Sequence, residues 1–170
     1  MYQNSHLEDY IQELYFGWNI NSPEQLNKYI IADQSNIGIY LTSNTSEAFY
    51  WDGRYYIFID RKQNDRQRWQ DFGHELCHVL RHSGHQGRMP PLFRQLQEWQ
   101  ADNFMFHFCV PTFMLHRIRL PPDQRAAVAL ISETFNVDYR FAEIRLARYV
   151  SKINRSIKGF SFSNQIELTF

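Results

Sequence analysis

Apolar and polar residues alternate along this chain with two periods. In the first segment Leu7, Tyr10, Ile11, Leu14 and Tyr15 recur at helical spacing, and Ser5 with Glu8 has the form of a capping box. Ser22-Pro23-Glu24 supplies an N-cap and a proline at the first helical position, so a second helix is expected from there to about Ile31. The period then shortens to that of a strand. Ile37–Leu41, Phe49–Trp51 and Tyr55–Ile59 read as strands, the last two joined by the turn pair Asp52-Gly53. Helical spacing returns at Asn64 or Asp65 and runs through Trp69, Phe72, Leu76, Val79 and Leu80 to Ser83-Gly84. A loop with two glycines and two prolines, residues 83–91, precedes a helix over about Leu92–Phe108, which Val110-Pro111 ends. A short helical piece from Thr112 to about Ile118 follows. Two helices, roughly 123–134 and 138–154, flank the turn Phe135-Asn136-Val137. Residues 160–169 alternate weakly and suggest a terminal strand.

These elements define an α+β chain, mainly helical, with a small three-stranded antiparallel sheet and a C-terminal helical hairpin. Pro121-Pro122 marks one internal boundary, dividing a core at 1–120 from a helical extension at 121–170 packed on it. At 170 residues the chain can bury a real core, and 44% apolar with 16% aromatic residues excludes a disordered polymer. Formal net charge is zero but uneven. Residues 1–115 carry 9 Lys or Arg against 13 Asp or Glu, and residues 116–170 carry 9 against 5. The basic end could face an acidic partner or nucleic acid; a solvated helical surface is the reading preferred here. Cys77 and Cys109 lie in apolar helical contexts and read as buried thiols of a reducing compartment. No signal peptide or membrane span is visible, so a cytoplasmic protein is expected.

The chemistry concentrates between residues 74 and 102. His74-Glu75-Leu76-Cys77-His78 is an HExxH pattern, and Glu98-Trp99-Gln100-Ala101-Asp102 is ExxxD. On helices, residues four apart share a face, so His74 and His78 aim two imidazoles at one point with Glu75 beside it. That is a two-histidine zinc site with an adjacent general base. A catalytic zinc keeps a third protein ligand. His82 extends the same row, but its ends lie about 12 Å apart at 1.5 Å rise per residue, too far for one ion. His85 falls one place late for the HExxHxxGxxH pattern, whose required positions hold Arg81 and Gly84. Glu98 completes a His₂Glu set, and Asp102, one turn on, suits the free N–H of a ligating histidine. Each pattern alone is ordinary, since HExxH recurs by chance and ExxxD is a common solvated face. The two in sequence on apolar helices point to a metal. His85 and Arg88, in the loop, are candidates for an oxyanion or substrate contact, against the plainer reading of surface residues. His107, well past Glu98, reads as a capping or core histidine.

The stretches HELCHVLRHSG and EWQADNFMFHFCVP resemble the ImmA/IrrE metallo-endopeptidases, with YYIFIDR before them and FNVDYRFAEIRLARY after them in that family's layout. The resemblance covers roughly residues 47–150. Where the family commonly has glycine before the second histidine, this chain has Cys77. The resemblance implies a zincin-like, gluzincin-type fold, zinc ligands at His74, His78 and Glu98, and a catalytic glutamate at Glu75. It also implies a protein substrate, a helix-turn-helix repressor of a mobile element or stress regulon. Manganese, iron or cobalt also suit such a donor set.

The activity expected is therefore metal-assisted peptide hydrolysis, Glu75 taking a proton from water and passing it to the leaving amine. A rival is a DNA-binding or stress-sensing regulator with a structural or degenerate metal site, using the basic helix that carries Arg140, Arg145, Arg148, Lys152 and Arg155. Glu75 argues against it, because a structural site has no use for a carboxylate beside an open position. An αα-hairpin buttressing the catalytic helices is preferred for the C-terminal pair, and nucleic-acid binding is not favoured.

Overall fold

The computed structural model describes residues 2–81 and 90–166, with side chains described through residue 155. Helix α1, His6–Gly17, opens on the expected capping box: the Ser5 amide donates to Glu8 Oε2 at 2.7 Å and the Glu8 amide donates to Ser5 Oγ at 3.4 Å. Its inner face buries Ile11 and Tyr15 completely.

The helix expected from Ser22 to Ile31 is instead two pieces. A single 3₁₀ turn spans Pro23–Gln25, and α2 covers Lys28–Gln34. Leu26 is extended between them, and the Asn27 side chain accepts from the amides of Tyr29 and Ile30 at 2.9 and 3.3 Å. The Asn27 side chain caps two amides where Ser22 makes no side-chain cap bond, and the helix starts after Asn27.

Strands β1 (Ile37–Thr42), β2 (Glu47–Trp51) and β3 (Arg54–Asp60) form a sheet in the order β1-β3-β2. The β2–β3 hairpin is antiparallel, with Asp52 and Gly53 both at positive φ, as its turn requires. The sheet as a whole corrects the all-antiparallel expectation. β1 pairs with β3 in parallel, Ile37 opposite Tyr55 through Thr42 opposite Asp60. The turn chemistry of Asp52-Gly53 fixes one pairing and says nothing of the other. β1 joins the far side of β3, where Ile37, Ile57 and Ile59 turn into the core. Gly38 allows this close approach: a Cβ there would stand 2.6 Å from the Tyr56 ring.

Helices α3 (Asp65–Arg81) and α4 (Pro91–Cys109) make the central pair. The buried face of α3 is Trp69, Phe72, Gly73, Leu76 and Cys77, an i, i+3, i+4, i+7, i+8 stripe. α4 answers with Gln97, Ala101, Phe104 and Phe108. Phe108 is the hub, with ring centroids 5.2 Å from Tyr15, 5.3 Å from Trp69 and 5.5 Å from Phe104. The Tyr15 hydroxyl donates to the Phe108 carbonyl at 2.8 Å and so satisfies an otherwise orphan group at the α4 C-terminus. Pro111 ends α4 as expected, and α5 (Thr112–Leu115) follows it directly.

Helices α6 (Gln124–Thr134) and α7 (Tyr139–Ile166) complete the chain. α7 runs past the expected end at 154 and through most of the expected strand, so no strand forms over residues 160–166. Extending an established helix adds one hydrogen bond per residue, whereas a weakly alternating segment needs a strand partner. The C-terminal pair is bound inward. Arg66 of α3 donates to Ser132 Oγ at 2.6 Å and to Glu133 Oε1 at 2.6 Å. The fully buried Arg145 of α7 donates to the Val110 carbonyl at 3.1 Å and Thr112 Oγ1 at 2.7 Å.

Candidate metal centre

The site follows from how closely α3 and α4 pack. Gly73 lies immediately before His74. A Cβ on it would meet Cys109 Sγ at 2.9 Å and Phe108 Cδ1 at 3.0 Å. Any larger residue would push the helices apart where they must bring donors together. Cys77, in the place of the usual glycine, is fully buried with its thiol 3.9 Å from the Gln100 carbonyl, so the interface accommodates it.

His74, His78 and Glu98 converge, each offering one atom within 4.8 Å of the others. His74 Nε2 lies 3.2 Å from His78 Nε2 and 3.2 Å from Glu98 Oε2, and His78 Nε2 lies 3.6 Å from Glu98 Oε1. Around an ion with bonds of about 2.0–2.1 Å, tetrahedral ligands stand about 3.3–3.4 Å apart. The three separations straddle that value. Asp102 Oδ1 is 3.1 Å from His74 Nδ1. With Asp102 ionised, Nδ1 carries the ring proton and donates it, so Nε2 presents its lone pair. That lone pair faces a carboxylate oxygen and a second imidazole nitrogen, an arrangement that calls for a positive centre among the three. A divalent cation fits it.

Glu75 is 92% buried on the same helix, since its relative exposure is 8%. Burial pushes its carboxyl up to about 7, with His74 pulling it back, Glu98 and Asp71 adding to the rise and a hydrogen bond from the Ala48 amide opposing it. A cation held beside it would draw it down toward the usual carboxylate range. Ala48 belongs to β2, so the sheet's edge strand lies against the candidate base. A second tie holds that strand: Ser46 donates to Asp71 Oδ2 of α3 at 2.5 Å and accepts from the Asp60 amide at 3.0 Å. Neither Ala48, Ser46 nor Asp71 is singled out by any motif. Their part depends on tertiary placement, and Ser46 lies too far from HExxH in sequence to be linked by spacing.

His82, His85 and Arg88 lie outside the described residues. His107 stays apart from the metal triangle: it sits on α4 with its Nδ1 3.8 Å from Glu8 Oε1. It is a half-buried core histidine, as expected.

Residues 32–147 match the family profile Peptidase_M78, the IrrE N-terminal-like domain. The chain belongs to that family. Membership supports a metallopeptidase of the ImmA/IrrE type, hence a protein substrate and a metal cofactor. The phage-like element PBSX protein XkdA of Bacillus subtilis (strain 168) is 44% identical over 95% of this chain and 80% of its own length. The uncharacterized protein YqaB of the same strain is 38% identical over 92% of this chain and 91% of its own. Among solved structures, a Mycobacterium tuberculosis transcriptional regulator superposes with a TM-score of 0.59 at 14% identity, over 82% of this chain and 46% of that one. At that identity the likeness is one of fold, and this chain spans less than half of that protein.

Proposed function

We propose that this chain is a zinc-dependent endopeptidase that cuts a specific protein, a helix-turn-helix repressor of a mobile element or stress regulon. The convergence of His74, His78 and Glu98 from two helices, with Glu75 beside them, is the observation that carries this reading. The kinship with a phage-element protein supports the mobile-element setting. A cytoplasmic location accords with such a substrate. Among the described residues no helix is long and apolar enough to cross a membrane.

Each side chain has a distinct task. His74, His78 and Glu98 hold the ion, and Asp102 fixes the His74 ring in the tautomer that offers Nε2. Zinc, when held there, supplies Lewis acidity toward water and a peptide carbonyl. Glu75 accepts the water's proton and delivers it to the departing amine. His85 and Arg88 stay candidates for an oxyanion or substrate contact, with the reading as surface residues preferred.

Substrate binding is assigned to the free edge of β2. Strand N–H groups alternate sides, and the Ala48 amide turns toward Glu75 rather than toward β3. Tyr50, two residues on, turns the same way and offers its N–H and carbonyl to an extended peptide laid alongside. Residues 121–170 serve as a helical extension packed on the 1–120 core. Two cations of the basic helix are committed to protein partners, Arg145 to Thr112 and Arg140 to Glu143.

The test is co-incubation of the purified, zinc-loaded chain with a repressor encoded beside it. Cleavage by the wild type and none by Glu75→Gln is expected. Equal cleavage by both would remove the proposal.

A further inference from the structure

A second site lies on the other side of α4 from the metal triangle's partner helix. Between α4 and α7 there is a cleft of about 530 Å³. Its walls carry Arg145, Arg148, Lys152 and Arg155 from α7, with the hydroxyl-bearing Tyr2 and Ser151. No acidic side chain lines it among the described residues. The nearest counter-charge is Glu8, buried beneath, which takes hydrogen bonds from Lys152, from Tyr2 at 2.5 Å and from Thr112 at 2.8 Å. Asp102, beside Asn103, acts on Arg148 from the α4 side, so four cations meet two carboxylates and the walls keep a surplus of positive charge. His107, on the α4 wall, does not add to that charge. Burial first, then Arg145, Lys152 and Arg148, push it down to about 3, so it is neutral.

Arg145, Arg148 and Lys152 are held in place by contacts within the fold, and Arg155 is exposed at the cleft's rim. Arg148 stacks on the Phe106 ring, 4.1 Å from its centroid, and donates to Asn103 Oδ1 at 3.4 Å. Lys152 sits over the Tyr2 ring at 4.7 Å. Pre-positioned guanidinium groups with neighbouring hydroxyls are suited to phosphate oxygens. A surplus of more than one charge matches a dianion better than a single carboxylate. The volume falls in the range of small-molecule sites, about 300–1,000 Å³.

We propose that the α4–α7 cleft is a binding site for a small phosphate-bearing ligand, read by Arg148, Arg155 and Ser151. It is independent of the hydrolase assignment, since no residue of the metal triangle or Glu75 lines it.

The full chain is titrated with inorganic pyrophosphate by calorimetry at fixed ionic strength. The same titration is run on Ser151→Glu and Arg155→Glu, both exposed positions outside the metal triangle, and on the milder Arg155→Gln. One-to-one saturable binding is expected. Each Glu variant should weaken it at least about tenfold, the equivalent of one charge-assisted contact, with Arg155→Gln weakened less. Zinc content should be equal in all four proteins. Unchanged pyrophosphate binding in both Glu variants would overturn the proposal, because the anion would then sit on the metal or elsewhere. So would the absence of saturable binding in the wild type. Displacement of pyrophosphate by short random duplex DNA would overturn it too, by making the cleft a nucleic-acid surface.

Discussion

His107 gives this chain an acid sensitivity that can be worked out in advance. Burial and the cations around it hold its imidazole at about 3, so it stays neutral in the folded chain through mild acid. In the unfolded chain an unperturbed histidine titrates near 6.5. Between those values the unfolded chain takes up a proton that the folded chain refuses. The folded pKa is depressed, so the stability this residue contributes is present above about 6.5 and falls as pH drops toward about 3. The slope is at most about 1.4 kcal/mol per pH unit, which gives a loss of about 2 kcal/mol at pH 5 relative to neutrality. Against a total stability of about 5–15 kcal/mol, that is a measurable share. His107→Gln removes the titration. Urea unfolding of both proteins at about pH 7.5 and about pH 5, with chelator present, is the assay. Chelation makes any protonation of His74 and His78 common to both. The gap in stability between wild type and variant should move by about 2 kcal/mol, the wild type losing more in acid. A gap that stays constant across the two conditions would refute the reasoning.

Further predictions rest on other contacts. Gly73→Ala gains about 1 kcal/mol of helix propensity but forces a Cβ against Cys109 and Phe108, an overpacking cost of about 1–3 kcal/mol, so a net loss of up to about 2 kcal/mol is expected on denaturation. Asp102→Ala should weaken zinc binding about 10–100-fold by freeing the His74 ring; an unchanged affinity in a chelator competition would show that Asp102 does not orient it. Glu75→Gln should retain zinc while slowing hydrolysis by about 10²–10⁴-fold. Tyr50→Pro should raise KM for a peptide substrate with kcat little changed; an unaltered KM would exclude pairing at the β2 edge.

The parts of this molecule that sequence made legible are those with local causes. The α1 capping box, the Asp52-Gly53 hairpin turn, the apolar stripe of α3 and the stop at Pro111 each arise from neighbours a few residues apart. The i, i+4 pairs of HExxH and ExxxD likewise foretold the faces on which His74, His78, Glu98 and Asp102 lie. What escaped depends on distant packing. The parallel pairing of β1 with β3 accommodates the close fit of Gly38 against Tyr56, and no turn signal encodes it. The break at Leu26 came from a competition between two caps, Ser22 and Asn27, that differ little on paper. The contacts that place the β2 edge beside Glu75, through Ala48 and Ser46, join segments 25 residues or more apart. The inward commitment of Arg145 was equally invisible, because a basic helix reads as solvated until its partners are seen.

Zinc affinity and stoichiometry, measured on the wild type, His74→Ala, His78→Ala, Glu98→Ala and Glu75→Gln, bear most directly on the convergence of three side chains on one ion. One equivalent of zinc is expected in the wild type and in Glu75→Gln, with affinity sharply reduced in the other three. A Glu98→Ala protein that held zinc as tightly as the wild type would contradict it.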